Sequence, residues 1–201
     1  MTMNAAPPAM SPDDAVPSAA AVAATRLWVE RAVIGLDLCP FARGVQQSGR
    51  IRYVATTARD AAALIDALAD ELERLAGADP ADIETTLLIH PRVLEDFLDY
   101  NDFLDVADAL VERLGLEGIV QVASFHPHYQ FEGTAPDDIE NHTNRSPYPT
   151  LHLLREDSVE RAVASFADVD AIPERNIETL RRLGRAGWDA LGIGRGGSDK
   201  R

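Results

Sequence analysis

The sequence is poor in the residues on which several common catalytic mechanisms depend. Cys39 is the single cysteine among 201 residues, so an internal disulfide and a zinc site built from several cysteines are excluded. Lys200 is the single lysine and stands next to the C-terminus, which excludes a core Schiff-base lysine, a pyridoxal-phosphate lysine and a P-loop. The sequence has one match to the GxGxxG pattern, GIGRGG at residues 192–197, but it follows a predicted helix and no strand precedes it, so it is not read as the phosphate loop of a Rossmann fold. A cofactor is therefore unknown from the sequence, with a divalent metal left open.

Positive charge and long apolar runs are also scarce. The formal net charge is −14, and such a surface repels phosphate backbones and anionic lipids, so we expect neither nucleic acid nor membrane as a partner. No apolar run approaches the roughly 18 residues that span a bilayer. The N-terminal residues lack the basic segment and apolar core of a signal peptide, which favours a cytoplasmic location. The oligomeric state does not follow from the sequence.

Composition divides the chain into three regions. Residues 1–24 are rich in Ala and Pro and are predicted to be a disordered leader, with a first helix starting near Thr25. Residues 25–192 are predicted to form a single α/β domain, since 46% of the chain is hydrophobic and supplies a sizeable core. Residues 193–201 are predicted to be a flexible glycine-rich tail.

Hydrophobic periodicity predicts an α/β fold with three layers, in which helices flank a sheet of about four strands. Strands are predicted at 51–56, 85–89, 119–125 and 150–156, with helices between them and a last helix from Pro173. The βαβαβ order favours a largely parallel core, and the fourth strand is compatible with an antiparallel direction. Pro91 is expected near the first turn of the third helix. The order of the strands in the sheet is not determined.

The segment 126–149, HPHYQFEGTAPDDIENHTNRSPYP, is the most informative part of the chain. A connection of this length between two strands is uncommon and is usually functional or disordered. His90 and His126 each follow a strand and precede a proline, and parallel strands end at the same edge of a sheet, where ligands bind in α/β folds. We therefore expect both imidazoles at one edge. The alternative is that each imidazole only caps a nearby carbonyl group.

Several side chains of this segment are suited to a polar or anionic ligand. Arg145 is expected to bind a carboxylate or phosphate, with further contacts from neighbouring polar groups. The predicted ligand-binding residues are His90, Asn141, Asn144, Arg145, Ser146 and Tyr148. The alternative is a self-bonded loop, in which these side chains satisfy the backbone.

Cys39, His126 and His128 are the catalytic candidates. Cys39 precedes Pro40, and a turn at that point would expose N–H groups that favour the thiolate, whereas a buried cysteine would be structural. His126 and His128 point to the same side of an extended segment and are candidates for a general base. They are also the candidate metal ligands, although a His-x-His step alone is a weak signal.

The chain resembles an uncharacterised bacterial family, the domain of unknown function 1415. LCPFA, ASFHPHYQFEGT and NHTNRSPYPTLHLLRE carry the resemblance, which covers about residues 25–192. The family brings no established activity, substrate or cofactor, so the resemblance implies membership alone.

Three functions are compatible with these patterns. The first is an enzyme for a small anionic or polar molecule, with Cys39 as nucleophile or redox thiol and His126 or His128 as base. The second is a metal-dependent hydrolase with His126 and His128 as ligands. The third is a non-catalytic module that binds a small molecule or a protein through segment 126–149. Whether the protein is an enzyme is not decided by the sequence.

Overall fold

The computed structural model describes residues 12–165 and 168–194. Within them the chain forms a sheet with helices on both faces. The helices are α1 (Pro12–Trp28), α2 (Ala42–Gln47), α3 (Ala61–Gly77), α4 (Phe97–Arg113), α5 (Glu156–Ala164) and α6 (Ile172–Ala190). The strands are β1 (Ile51–Ala55), β2 (Thr85–Ile89), β3 (Val120–Phe125) and β4 (Thr150–Arg155). A π-helical turn, Val29–Ile34, continues α1, and a 3-10 turn, Ile139–Thr143, lies in the long loop.

The strands are arranged in the order β1-β2-β4-β3. β1 and β2 are parallel, and β4 is antiparallel to both of its neighbours, β2 and β3. Three strands therefore run in one direction, and β4 is inserted between two of them. The predicted α/β class, with a largely parallel sheet and a fourth strand that runs antiparallel, is confirmed.

Two hydrophobic cores lie on opposite faces of the sheet, because successive side chains of a strand point to opposite faces. Leu88 packs on one face with the apolar residues of α3 and α4. Leu87 packs on the other face with Trp28, Leu180 and Trp188 of α1 and α6. None of the described helices is long and apolar enough to cross a membrane.

Tyr100 fixes the points at which the long loop leaves and rejoins the sheet. Its fully buried hydroxyl group donates to the carbonyl oxygen of Thr150 at 2.9 Å and accepts from the N–H of Phe125 at 3.1 Å. Phe125 is the last residue of β3, and Thr150 is the first residue of β4. One side chain of α4 therefore connects both ends of the loop.

The start of α1 differs from the prediction. α1 begins at Pro12, not near Thr25, so residues 12–24 of the predicted leader are helical. This stretch is rich in alanine, which has the highest helix propensity, and Ala21 and Ala24 are buried against the fold. The prediction of disorder was wrong for these residues. Residues 1–11, and the tail from residue 195 on, lie outside the described residues.

The start of α4 also differs from the prediction. The helix begins at Phe97, well after Pro91, because the carboxylate of Asp96 accepts from the N–H groups of Leu98 and Asp99 at 2.8 and 3.2 Å. An aspartate in this position satisfies N–H groups that the helix itself leaves without partners. The residues between Pro91 and Asp96 consequently form a loop at the sheet edge.

We expect Tyr100→Phe to lower the free energy of unfolding by about 1–3 kcal/mol, because the Phe125 N–H and the Thr150 carbonyl lose a buried partner. Urea denaturation of the two proteins measures the difference. Tyr129→Phe is the matched control, since the Tyr129 hydroxyl group makes no hydrogen bond to a described residue and its removal should change stability little. Equal losses in both variants would contradict the role of Tyr100.

Candidate functional site

The ends of β2 and β3 meet at one edge of the sheet, as the parallel direction of these strands predicts. His90 follows β2, and His126 follows β3. Both rings contact the ring of Tyr100, with centroid distances of 5.7 Å for His90 and 5.0 Å for His126. Phe97 and Tyr129 extend this aromatic cluster. This aromatic cluster lies at the sheet edge where the long loop, residues 126–149, begins.

Both strand-ending imidazoles are bonded to nearby backbone groups. His90 is fully buried, and its Nδ1 lies 2.9 Å from the carbonyl oxygen of Val93. His126 is also fully buried, with Nε2 3.2 Å from the carbonyl oxygen of Leu94 and Nδ1 accepting from the N–H of His128 at 3.1 Å. The carbonyl groups come from the loop that precedes α4. These contacts match the capping alternative for His90 and give His126 a similar structural role.

Three predicted ligand-binding side chains hold the loop in shape. Asn141 is buried, accepts from the Phe131 N–H at 3.0 Å and donates to the Ala135 carbonyl at 2.8 Å. Asn144 donates to the Ser124 carbonyl at 3.3 Å. The hydroxyl group of buried Ser146 donates to the Tyr148 carbonyl at 2.6 Å, and Tyr148 itself is half-buried. The polar residues of the loop therefore satisfy its own backbone, as a segment without regular structure requires.

The outer part of the loop is fixed to α6. The ring of His142 packs edge-on against Trp188 with a centroid distance of 4.7 Å. Glu140 pairs with Arg181 at 2.7 Å on the surface. Gly184, at a φ of 67°, interrupts α6 in a conformation that favours glycine. The loop is thus an ordered part of the fold.

A polar cavity of about 410 Å³ opens at this edge between the loop and the start of α4. Its walls combine carboxylate, imidazole, amide and guanidinium groups with three apolar side chains. The lining residues are Asp96, Phe97, Leu98, His128, Gln130, Pro136, Asp137 and Arg145. His128 and Arg145 are the two predicted site residues that reach it.

Arg145 supports the loop and also faces the polar cavity. Its Nε donates to the Tyr129 carbonyl at 3.0 Å, and its Nη2 donates to the Pro136 carbonyl at 2.7 Å. Partial burial and the neighbouring Arg185 lower the pKa of Arg145, whereas Asp137 acts in the opposite direction. Burial is thus the largest influence on the guanidinium group, and Asp137 is a carboxylate whose charge partly offsets it.

Cys39 lines a different cavity, on the face of the sheet that α1 covers. Burial raises the pKa of its thiol, although the backbone N–H groups of Phe41 and Ala42 act in the opposite direction. These N–H groups therefore act on the thiol, but desolvation outweighs their effect. The structure does not bring Cys39 into the cavity that His128 lines.

Metal ligands do not converge in the part of the chain that the structure describes. No group of three or more His, Cys, Asp or Glu side chains there is arranged to hold a metal ion. His126 uses both ring nitrogens in backbone contacts. The assignment of His126 and His128 as metal ligands stays a prediction.

The family model described as protein of unknown function DUF1415 matches residues 20–190. The chain belongs to this family. Comparisons with curated proteins and with solved structures each found no match. The matched range of the DUF1415 chain includes every residue that lines the two cavities.

Some cavity residues of the DUF1415 chain were not predicted from the sequence. Asp96, Phe97, Leu98 and Gln130 line the polar cavity, but no motif distinguishes them. The Asp-x-x-Asp spacing that begins at Asp96 was the available signal, because an aspartate before an apolar helical pattern marks a helix start. A prediction that α4 starts after Asp96 would have placed Asp96, Phe97 and Leu98 at the sheet edge. Gln130 lies in the long loop and has no such signal.

We expect the DUF1415 chain to lose stability as the pH falls from about 6.5 to 4, because burial lowers the pKa of His90 from 6.5 to about 4. As the pH falls, the unfolded chain binds the proton before the folded chain does. The contribution of neutral His90 to the free energy of unfolding, about 3 kcal/mol, is therefore complete above pH 6.5 and is lost toward pH 4. Burial lowers the pKa of His142 and His152 to about 4 as well, and they act in the same direction.

Urea denaturation across this pH range measures the effect. His90→Phe keeps a ring of similar size and should flatten the dependence of the unfolding free energy on pH by about 1.4 kcal/mol per pH unit. An unchanged slope in this variant would show that His90 takes up its proton equally in the folded and unfolded states.

We expect Cys39 to react with iodoacetamide more slowly in the folded protein than in the urea-unfolded protein, because burial disfavours the thiolate. The rate of alkylation against pH gives an apparent pKa for each state, and the folded value should be the higher one. A folded value below the unfolded one would instead identify an activated thiolate. No second thiol interferes, since Cys39 is the single cysteine.

Proposed function

We propose that this protein binds a small polar molecule with an anionic group in the cavity at the sheet edge. The observation that carries the proposal is the cavity itself, in which residues of segment 126–149 meet the start of α4. Its volume of about 410 Å³ falls within the range of small-molecule sites. Its position at the ends of β2 and β3 is the usual place for a ligand in an α/β sheet.

Arg145 is the proposed anchor for the anionic group. Two of its nitrogens are bound to loop carbonyls, and Nη1 donates to no described residue. Arg145 also forms no ion pair within 4.0 Å in the described part of the chain. A carboxylate or phosphate group would accept hydrogen bonds from a guanidinium group that is already held in place.

The other polar side chains define the rest of the ligand. His128 is exposed on the cavity wall, so its imidazole is accessible to a second polar group. Asp96 and Asp137 make the wall acidic, which favours hydroxyl or amino groups at that end of the ligand. Phe97 and Leu98 supply an apolar contact, and Leu98 is 71% exposed. The ligand class is therefore a small acid that also carries hydrogen-bond donors.

The catalytic version of this function assigns Cys39 as nucleophile and His126 or His128 as base. Cys39 lines the other cavity, and both ring nitrogens of His126 are engaged by the backbone. Burial also raises the pKa of the Cys39 thiol. These contacts favour binding over thiol catalysis, and the catalytic roles stay predictions.

Thermal unfolding with a panel of hydroxy and amino carboxylates and phosphate monoesters tests the proposal. A true ligand should raise the melting temperature saturably, since binding at about 100 times Kd adds about 2.7 kcal/mol to the unfolding free energy. His128→Ala should weaken binding severalfold. Arg145→Lys keeps the charge but removes the planar guanidinium group, so it should weaken binding about tenfold or more.

Arg182→Lys is the matched control, because Arg182 lies on α6 and its bond among the described residues is to Thr179. This variant also replaces a guanidinium group with an ammonium group at constant charge, and it should bind like the parent protein. Histidine resonances in NMR spectra provide a second readout, in which the ligand should shift His128 more than buried His90. The proposal is wrong if no compound in the panel changes either the melting temperature or the His128 resonance.

A further inference from the structure

A second cavity of about 330 Å³ lies on the sheet face that α1 covers. α1 and the π-helical turn form one wall with Trp28, Val29 and Val33, and α5 forms the opposite wall. Side chains of β2, β3 and β4 form the floor, which includes Ala123 and His152. The lining is overwhelmingly apolar. A cavity of this size and composition is typical of a site for a small apolar molecule.

The charged side chains around this cavity are already engaged. Glu84 pairs with Arg50 at 2.5 Å. The guanidinium group of Arg155 donates to the carbonyl groups of Leu75, Ala78 and Ile83. An ion entering the cavity would lose its hydration without gaining an unpaired opposite charge, which is costly in an apolar site. The cavity therefore suits an uncharged occupant.

His152 lines the floor together with the polar residues Thr85 and Gln121, and its contact with Thr85 determines its tautomer. The hydroxyl group of Thr85 donates its single proton to the Leu153 carbonyl at 2.6 Å. Thr85 Oγ1 also lies 2.8 Å from His152 Nε2, and with its proton already used it must accept there. His152 Nε2 therefore carries the ring proton in the neutral imidazole. Nδ1 is left as an acceptor.

Burial keeps this imidazole neutral, since it lowers the pKa of His152 to about 4. Nδ1 receives no hydrogen bond from a described residue. The ring is nevertheless partly accessible, and it lines the cavity. A neutral acceptor in a largely apolar site selects for a ligand that brings a donor, because an unmatched polar group in such a site is unfavourable.

We propose that this cavity is a second binding site, for an uncharged, largely apolar molecule with one hydroxyl or N–H group that donates to His152 Nδ1. Phenols and medium-chain alcohols have this chemistry. The site goes beyond the polar site proposed at the sheet edge, with which it shares no lining residue. Cys39 lines the same cavity and reports on its occupancy without taking part in recognition.

The test compares 4-ethylphenol with 4-ethylanisole, its methyl ether, which has a similar shape but no donor. Calorimetric titration of the full-length protein should give a Kd for the phenol that is about five to ten times lower than that for the ether. Saturation with the phenol should also slow the alkylation of Cys39 by iodoacetamide at mildly alkaline pH. A histidine NMR spectrum should show the Nε2–H tautomer of His152 and a shift of Nδ1 on addition of the phenol.

Two variants separate the donor requirement from the apolar space. His152→Phe keeps a ring in the floor and leaves the Thr85–Leu153 hydrogen bond intact, so it should bind phenol and ether equally well. Ala123→Leu fills the cavity and should weaken both compounds at least tenfold. The variants His128→Ala and Arg145→Lys should bind the phenol like the parent protein, which distinguishes this site from the one at the sheet edge.

Either of two results would overturn the proposal. One is the absence of saturable binding and of Cys39 protection by both compounds, which would show that the cavity takes no such ligand. The other is equal affinity for phenol and ether in the parent protein, which would show that His152 Nδ1 does not select a donor. If the variants are poorly folded, the comparison of the two compounds on the parent protein still decides the question.

Discussion

The hydroxyl group of Tyr100 is the interaction on which the arrangement of the sheet edge depends. It is bonded at once to the end of β3 and to the beginning of β4, in a position without access to water. Its ring packs between His90 and His126, which in turn hold the carbonyl groups of the loop before α4. Each of these three side chains bonds to backbone groups at the sheet edge, while Nε2 of His90 is buried without a hydrogen-bond partner among the described residues. The long loop can therefore be irregular and still be held at both ends.

The sequence was sufficient to predict the class of the fold and the edge at which His90 and His126 meet. Both follow from the alternation of strands and helices, since strands joined by one helix usually run parallel. The position of β4 could not be predicted, because its insertion between β2 and β3 depends on pairing between residues far apart in the chain. For the same reason nothing in the sequence indicated that His152 and Thr85 are partners.

The ligand-binding residues were predicted from their type and location, and several of them also bond to the backbone, so their role in binding stays a prediction. Asn141, Asn144 and Ser146 bond to backbone groups of the loop or of β3. A long segment without helix or strand has many backbone N–H and carbonyl groups to satisfy, and short polar side chains do this well. The sequence pattern of a self-bonded loop is thus hard to distinguish from that of a binding loop. Only the three-dimensional structure distinguishes Arg145 and His128, which line the polar cavity, from the predicted residues Asn141, Asn144 and Ser146, which do not.

The π-helical turn after α1 lines the apolar cavity with a helical turn that is wider than an α-helical one. Such a turn contains one more residue than the α-helical path it replaces. Removing one residue from Val29–Ile34 would turn this segment into a regular α-helix, whose turns hold fewer residues. Val29 and Val33 would then no longer share the wider turn that forms a wall of the apolar cavity. The length of this short segment is therefore as much a determinant of the apolar cavity as the identity of the side chains that line it.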